Sequence, residues 1–499
     1  MSKKRKRRPL SAFSVICFTC GLILVVGNLF MVHKGFNQTV VGSNPMPLQS
    51  GARGVDTNPN PLEDTIDLPL NLLLDDNAVY KSMKLVDPKL RKLMQDRLEL
   101  HRRPTYNRNS LISMSTQDLR KSLSLSSNCL KFHPNISDSE FIASGWTKAV
   151  YKSKNNGRQV AVKTVDTNGH DMMNCFKMTP LNPQQCYARC SQKILKEILL
   201  LSGLSHPNII KPLGHCVPER PFTGSDYSTI VSMTTELGES VDIIRLLQMS
   251  WEERLRVSYG LTKLLVYLAH SPYGSLALND FRRQQFVLIG GDLKLSDMDD
   301  VGFLEPRCNS SSQCQQYFSS SNFTLSAKCI NGLCEGLNEK MNIFNAARHF
   351  TTFLLPHGAP SSLRPFVDRV VDAFTNVTTS SNRILSMMER IVDMYSSGVY
   401  LNRHSDKTRE YKCYEDKDLA GLFDYRCRYS VASVGCTVSV FDIAEAEELC
   451  DNDEQCKAFV VSPQTTWTGR MIIHLKNNVS TPTKNPQRTL CLKPSTLIF

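Results

Sequence analysis

A chain of 499 residues is longer than one hydrophobic core usually organises, so two or three folded units with linkers are expected. With 41% apolar and 21% charged residues it is neither disordered overall nor polytopic in a membrane. The net charge of +12 falls to +6 (53 basic against 47 acidic residues) once the basic run at 3–8 is set aside, too mild a surplus to argue nucleic-acid binding.

That run, "KKRKRR", closes a basic segment (1–9) and is followed by Leu10–Val32, 23 residues without a charge. Such a stretch is long enough to cross a bilayer and longer than the usual cleaved signal core. Positive charge is retained on the cytoplasmic side, so everything after His33 is expected to be luminal or extracellular. That holds whether residues 10–32 stay as a signal anchor or leave as a signal peptide. Residues 33–130 carry scattered Pro, Asn and Ser and read as a luminal stem. Within it "DPKLRKLMQDRLELHRR" spaces Leu90, Leu93, Met94 and Leu98 along one helical face.

Cysteine usage suits an oxidising compartment. Of 17 cysteines two lie in the apolar segment, leaving 15 in the body, with dense groups at Cys308–Cys334 and Cys413–Cys491. None has the paired spacing with histidines that a zinc site needs, so disulfides are expected, and the odd number leaves at least one thiol free or intermolecular. N-x-S/T triplets stand at Asn37, Asn135, Asn309, Asn322, Asn376 and Asn478, outside the segments read below as buried, and three or more are expected to carry glycans.

From residue 135 to 401 the pattern changes. Short apolar runs, "AVYKS", "QVAVKTV" and "TIVSMTTEL", predict strands; longer periodic segments, "KILKEILLLSGL" and "WEERLRVSYGLTKLLVYLAH", predict helices. Strands first and helices later predict a two-lobed α+β architecture. Residues 402–499 are expected to form a small cysteine-rich C-terminal module.

Motifs in this region follow the order that phosphoryl transfer from ATP requires: a lid, a cation on the phosphates, metal-holding groups and a carboxylate for the attacking hydroxyl. "SGWTKAVYKS" resembles a glycine-rich lid in which Ala143, Gly145 and Lys148 occupy the three glycine positions, with Ile142 and Val150 flanking an adenine site. Lys163 in "VAVK" would contact the phosphates, paired with Glu197 on the helix ahead of His206-Pro207-Asn208. "TTELG" resembles a hinge, with Thr235 as gatekeeper and backbone groups of Glu236 and Leu237 facing the base. In "LNDFRRQQFVLIGGDLKLSDMDD", Asp280 takes the place of the catalytic aspartate and Asp297 that of the magnesium-holding aspartate of a DFG element. Gln285 stands where a metal-binding asparagine is expected, and Leu278-Asn279 replaces the usual His-Arg. Downstream, "PRCNSSSQCQQYFSSSNFTLSAKCINGLCEGLNEKMNIFNAARHF" carries four cysteines where other kinases have a phosphorylatable activation loop. Disulfides there would supply the order that phosphorylation supplies elsewhere. Asn342 would replace the aspartate of the helix that follows.

These motifs, together with "CEGLNEKMNIFNAAR" and "TTWTGRMIIHLK", resemble the vertebrate lonesome kinases, a family of divergent secretory-pathway protein kinases, from about residue 128 to the C-terminus. The resemblance implies a Golgi-resident and secreted kinase that uses ATP with Mg2+ or Mn2+ on tyrosines of luminal and extracellular-matrix proteins. Tyrosine selectivity comes only from the resemblance; Arg282, two residues after Asp280, fits both kinase classes. "AEELCDNDEQCKAFVV" resembles an apple-like module that would bind partners, or else staples an extension onto the kinase lobe. Two other functions stand beside transfer to tyrosine: a luminal pseudokinase scaffold, and a kinase acting on glycan hydroxyls.

Overall fold

The computed structural model describes residues 139–178, 182–218, 230–319, 321–401, 411–427, 430 and 435–494. The apolar segment 10–32, the stem, and the sequons at Asn37 and Asn135 lie outside these residues. Among the described residues no helix is long and apolar enough to cross a membrane.

Alternating runs of the N-terminal part pair as β1 (Glu140–Ser144), β2 (Lys148–Asn155), β3 (Arg158–Val165), β4 (Pro212–Cys216) and β5 (Ser232–Glu236). They form one sheet in the order β1-β2-β3-β5-β4. Asn156-Gly157, both at positive φ, closes the β2–β3 hairpin, the dipeptide that a tight primed turn favours. From Val160 to Val165 every side chain of the central strand β3 is buried.

Helices α1 (His170–Met178) and α2 (Pro183–Gly203) lie between β3 and β4. The helix expected from "KILKEILLLSGL" begins nearly three turns earlier, because "NPQQ" is an N-terminal capping signal. Asn182 accepts from the Gln185 amide at 2.9 Å, its own amide donates to Gln185 Oε1 at 3.1 Å, and Pro183 takes the first helical position. The added turns bury Tyr187 and Cys190, and α2 packs on β3 and β5.

The second lobe contains β6 (Glu239–Ser240), α3 (Ile243–Gln248), α4 (Trp251–Ala269), β7 (Ala277–Leu278), β8 (Phe286–Ile289), β9 (Asp292–Leu295) and β10 (Val301–Gly302). Two hairpins follow, β11 (Gln315–Phe318) with β12 (Phe323–Ser326) and β13 (Lys328–Ile330) with β14 (Leu333–Glu335); then come α5 (Leu337–Ala346), α6 (Arg364–Thr375) and α7 (Ser381–Ser396). Helix α4 buries Leu255, Leu261, Leu264 and Leu268 and packs against α5 and α7. One continuous apolar core runs from Ile198 and Met233 in the sheet lobe to Leu261 and Phe350 in the helical lobe. This is the α+β, two-lobed kinase-like arrangement with a disulfide-bearing segment between the catalytic loop and α5.

Residues 411–494 add β15 (Lys412–Asp418), β16 (Cys436–Val440), α8 (Ile443–Asp451), β17 (Ala458–Thr465), β18 (Met471–Lys476) and β19 (Thr483–Leu492), with sheet order β15-β19-β17-β18-β16. Three disulfides staple them, Cys413–Cys491, Cys427–Cys436 and Cys450–Cys456. The module docks on α4 and α7. Glu252 accepts from Ser439 Oγ at 2.7 Å and from Thr468, and its carbonyl accepts from Trp467 Nε1 at 3.2 Å. The buried Arg470 guanidinium donates to both Glu445 oxygens at 2.9 and 2.7 Å and lies over the rings of Tyr395 and Tyr400. The segment "TTWTGR" is therefore the seam between module and lobe. Cys190 is the free cysteine among the described residues, and burial pushes its thiol up to about 11, which keeps it unreactive.

Candidate active site

Lys163 is fixed midway along β3, opposite Val150 of β2 and Met233 of β5. Its ammonium meets Glu197 Oε1 at 2.6 Å and donates to the Ser296 carbonyl. Glu197 is fully buried on α2, so the pair exists only while α2 sits tight against the sheet. The loop after α2 reaches into the other lobe. Asn208 Nδ2 donates to the Leu293 carbonyl at 2.7 Å, and the Leu295 amide donates to the Asn208 carbonyl at 2.8 Å. His206 Nδ1 accepts from the Asn208 amide at 3.1 Å.

The lid between β1 and β2 turns tightly, with the Gly145 amide donating to the Lys148 carbonyl at 2.8 Å. A Cβ on Gly145 would touch nothing closer than that carbonyl at 3.8 Å, so the protein itself has room for a side chain there. Ile142 is exposed and Val150 half-buried, on strands flanking this turn. The missing glycines are matched by tethers. The Asp171 amide donates to the Trp146 carbonyl at 3.0 Å, the Asp166 amide to the Thr147 carbonyl at 2.8 Å, Thr147 Oγ1 to Asp171 and Ser144 Oγ to Asp166. The Trp146 ring rests on His170 with centroids 4.3 Å apart. Helix α1 thus holds the lid, and is itself joined to α2 by the Cys175–Cys186 disulfide and by Lys193 on Asp171 at 3.0 Å. Asp171 and this disulfide were not legible as parts of the lid, since their partners are 11 to 24 residues away.

At the hinge Thr235 is buried and its hydroxyl donates to the Glu236 carbonyl at 3.2 Å. The Glu236 amide is engaged with the Lys211 carbonyl at 3.2 Å, and its carboxylate holds Lys294 at 2.7 Å. Of the backbone groups expected to face the base, the Glu236 amide is therefore committed within the protein. Gly238 is required by close approach, since a Cβ there would meet Val287 at 2.6 Å.

The catalytic loop is anchored from below. The Leu278 amide donates to Asn342 Oδ1 at 2.9 Å and Asn342 Nδ2 donates to the Leu276 carbonyl at 2.7 Å, so Asn342 on α5 holds the strand that leads into the catalytic loop. The side chain of Leu278 enters the apolar core with Met298 and Leu201. Asp280 stands at the cleft, its carboxylate gripped by the Arg282 guanidinium through Nε and Nη2 and by Gln285 Nε2. The Gln285 carbonyl accepts from the amides of Ser296 and Asp297 at 2.8 and 3.3 Å, which ties the two carboxylate-bearing loops together.

Asp297 is surrounded by charge. Lys148, from the third lid position, places its ammonium 2.6 Å from Asp297 Oδ1, 2.7 Å from Glu197 Oε2 and 3.1 Å from Asp299 Oδ2. Burial alone would raise the Asp297 carboxyl, but Lys148 and Lys163 hold it well below the usual carboxylate range. Burial pushes Asp299 up to about 6, with Lys148 opposing and Asp297 and Asp300 adding. Burial also works against the charge of Lys148, yet Glu197, Asp297 and Asp299 raise it well above the ordinary lysine range. A cation already stands among these carboxylates, so the donor set suits a divalent ion. Lys148, which the sequence offered only as a replaced lid glycine, is the site residue absent from the sequence-derived set.

The activation segment is crossed by Cys308–Cys329 and Cys314–Cys334. Phe344 of α5 receives Phe318 at 4.4 Å and Phe323 at 4.9 Å, and Asn338 binds the Leu304 carbonyl at 3.2 Å and Glu305 at 3.0 Å. The sequon residues Asn309, Asn322, Asn376 and Asn478 are all exposed.

No family model matches the chain. It is 42% identical over 363 residues to the human extracellular tyrosine-protein kinase PKDCC, covering 72% of each chain. It is 26% identical over 181 residues to the serine/threonine-protein kinase PBS1 of Arabidopsis thaliana, covering 35% of this chain and 34% of that one. The probable serine/threonine-protein kinase PBL24 of the same plant is 28% identical over 164 residues, 31% of this chain and 36% of its own.

Proposed function

The chain belongs to the protein-kinase family of the extracellular tyrosine-protein kinase PKDCC, and from that premise we propose that it transfers the γ-phosphoryl group of ATP to tyrosine hydroxyls of luminal, secreted and extracellular-matrix proteins. The observation that carries this reading is the assembled set: Lys163 on Glu197 at 2.6 Å, with Asp280 and Asp297 bridged through Gln285.

Lys163, steadied by Glu197, would neutralise phosphate oxygens, and the lid amides around Gly145 would cover them. Ile142 and Val150 would enclose the adenine, with Leu237 at its hinge edge. Asp297 and the Gln285 amide oxygen would hold Mg2+ or Mn2+, which when bound supplies positive charge to the phosphates. Asp280, aligned by Arg282 and Gln285, would orient the acceptor hydroxyl and take its proton as the oxygen bonds to phosphorus and ADP leaves. A Golgi and extracellular location is supported by the disulfides, the exposed sequons and the likeness to a human kinase described as extracellular.

Purified protein should be incubated with ATP, Mg2+ or Mn2+, and a denatured extract of secreted proteins, and the phosphorylated residues identified. Phosphotyrosine is the expected product. Label confined to glycans would replace the acceptor class, and no label would leave a binding scaffold.

A further inference from the structure

Lys148 stands where the lid pattern has its third glycine, and none of the roles above uses it. It is the first residue of β2, and alternation along the strand puts it on the same face as Val150. Its ammonium is buried and lies between 2.6 and 3.1 Å from one oxygen each of Asp297, Glu197 and Asp299. Lys163 holds the other Glu197 oxygen at 2.6 Å. Two lysines thus face three carboxylates, and one of them sits on the Asp297 oxygen that a metal ion would need.

We propose that Lys148 is the resident counter-ion of the metal-binding carboxylates. It competes with a divalent cation for Asp297 and Asp299, so metal alone is held off until phosphates offer the ammonium another anionic partner. The physical basis is direct. An ammonium and a divalent ion cannot share the same buried carboxylate oxygens without strong repulsion, and removing the ammonium leaves negative charge that a metal relieves. The Lys148 carbonyl also closes the lid turn on Gly145 at 2.8 Å, so the residue that yields the metal site is part of the lid.

This inference rests on the phosphoryl-transfer reading of the site, but metal binding without nucleotide tests it separately. Free Mn2+ should be followed by electron paramagnetic resonance during titration of the nucleotide-free protein. Lys148→Met and Lys148→Gln should bind Mn2+ about tenfold tighter or more than the wild type, and Lys148→Arg should match the wild type. Should the methionine variant fail to fold, the glutamine variant keeps a polar group of similar reach and carries the comparison. Unchanged or weaker Mn2+ affinity in the neutral variants overturns the role of Lys148 alone. Tight binding that persists after Asp297→Asn is added to Lys148→Gln puts the ion elsewhere and overturns the metal assignment of the site itself.

Discussion

Gly145 separates what the fold needs from what a nucleotide would need. Its Cβ position is open within the protein, the nearest atom being 3.8 Å away. Gly145→Val should therefore melt within a degree or two of the wild type yet bind ATP at least about tenfold more weakly, because a branched side chain would displace the lid from the phosphates. Calorimetric ATP titration beside a thermal melt checks both halves. Lys163→Met should instead abolish transfer, since it would remove the proposed phosphate cation and leave Glu197 paired with Lys148.

His206 gives a pH dependence. Burial, with Lys263 adding, lowers its pKa from 6.5 to about 4, and its Nδ1 must stay unprotonated to accept from the Asn208 amide. The folded state prefers the neutral ring, so this contribution is complete above pH 6.5 and is lost as pH falls toward 4. Melting temperature should drop between pH 7 and pH 5, and by less in His206→Ala. An unaltered slope in the variant would place the acid sensitivity elsewhere.

Among the elements, the spacing from Glu197 to the His-Pro-Asn turn made the Lys163–Glu197 pair readable, because a helix of fixed pitch sets where that glutamate falls. The start of α2 was also encoded, in "NPQQ", but a local capping signal is overlooked when apolar periodicity alone is followed. Lys148 was counted as a lost glycine. The signal that finds it is period-2 alternation, which puts residue 148 on the cleft side with Val150. The cysteine pairing was not readable, since four cysteines allow three connectivities and the hairpins β11–β12 and β13–β14 decide between them. These two crossings close loops of 21 and 20 residues. Each should constrain the segment by about 3 kcal/mol. Mild reduction should abolish phosphate transfer, while phosphatase treatment should leave it intact; the reverse pattern would show that the segment is switched by phosphorylation.

Across the whole molecule, the C-terminal module is built as part of the kinase lobe rather than as a loosely tethered partner. Its segment "TTWTGR" was visible as a family signature, but its contacts with Glu252 span more than 200 residues and no local pattern announces them. Arg470→Ala would leave the Glu445 carboxylate without its guanidinium and uncover Tyr395 and Tyr400. It should cost about 3–5 kcal/mol, and Arg470→Lys should also be costly because an ammonium cannot stack and fork in the same way. Chemical denaturation of the two variants measures this, and a loss under about 1 kcal/mol for Arg470→Ala would mean the seam contributes little.

The most direct measurement is γ-phosphate transfer from labelled ATP to a secreted-protein extract by the wild type and by Asp280→Asn, with ATP affinity measured on the same preparations. On the proposed mechanism Asp280 would orient the acceptor proton, while the nucleotide contacts would lie on Lys163, Asp297 and the lid. Transfer should therefore fall at least about 10²-fold with ATP affinity nearly unchanged. Transfer at the wild-type rate by Asp280→Asn would contradict the catalytic assignment.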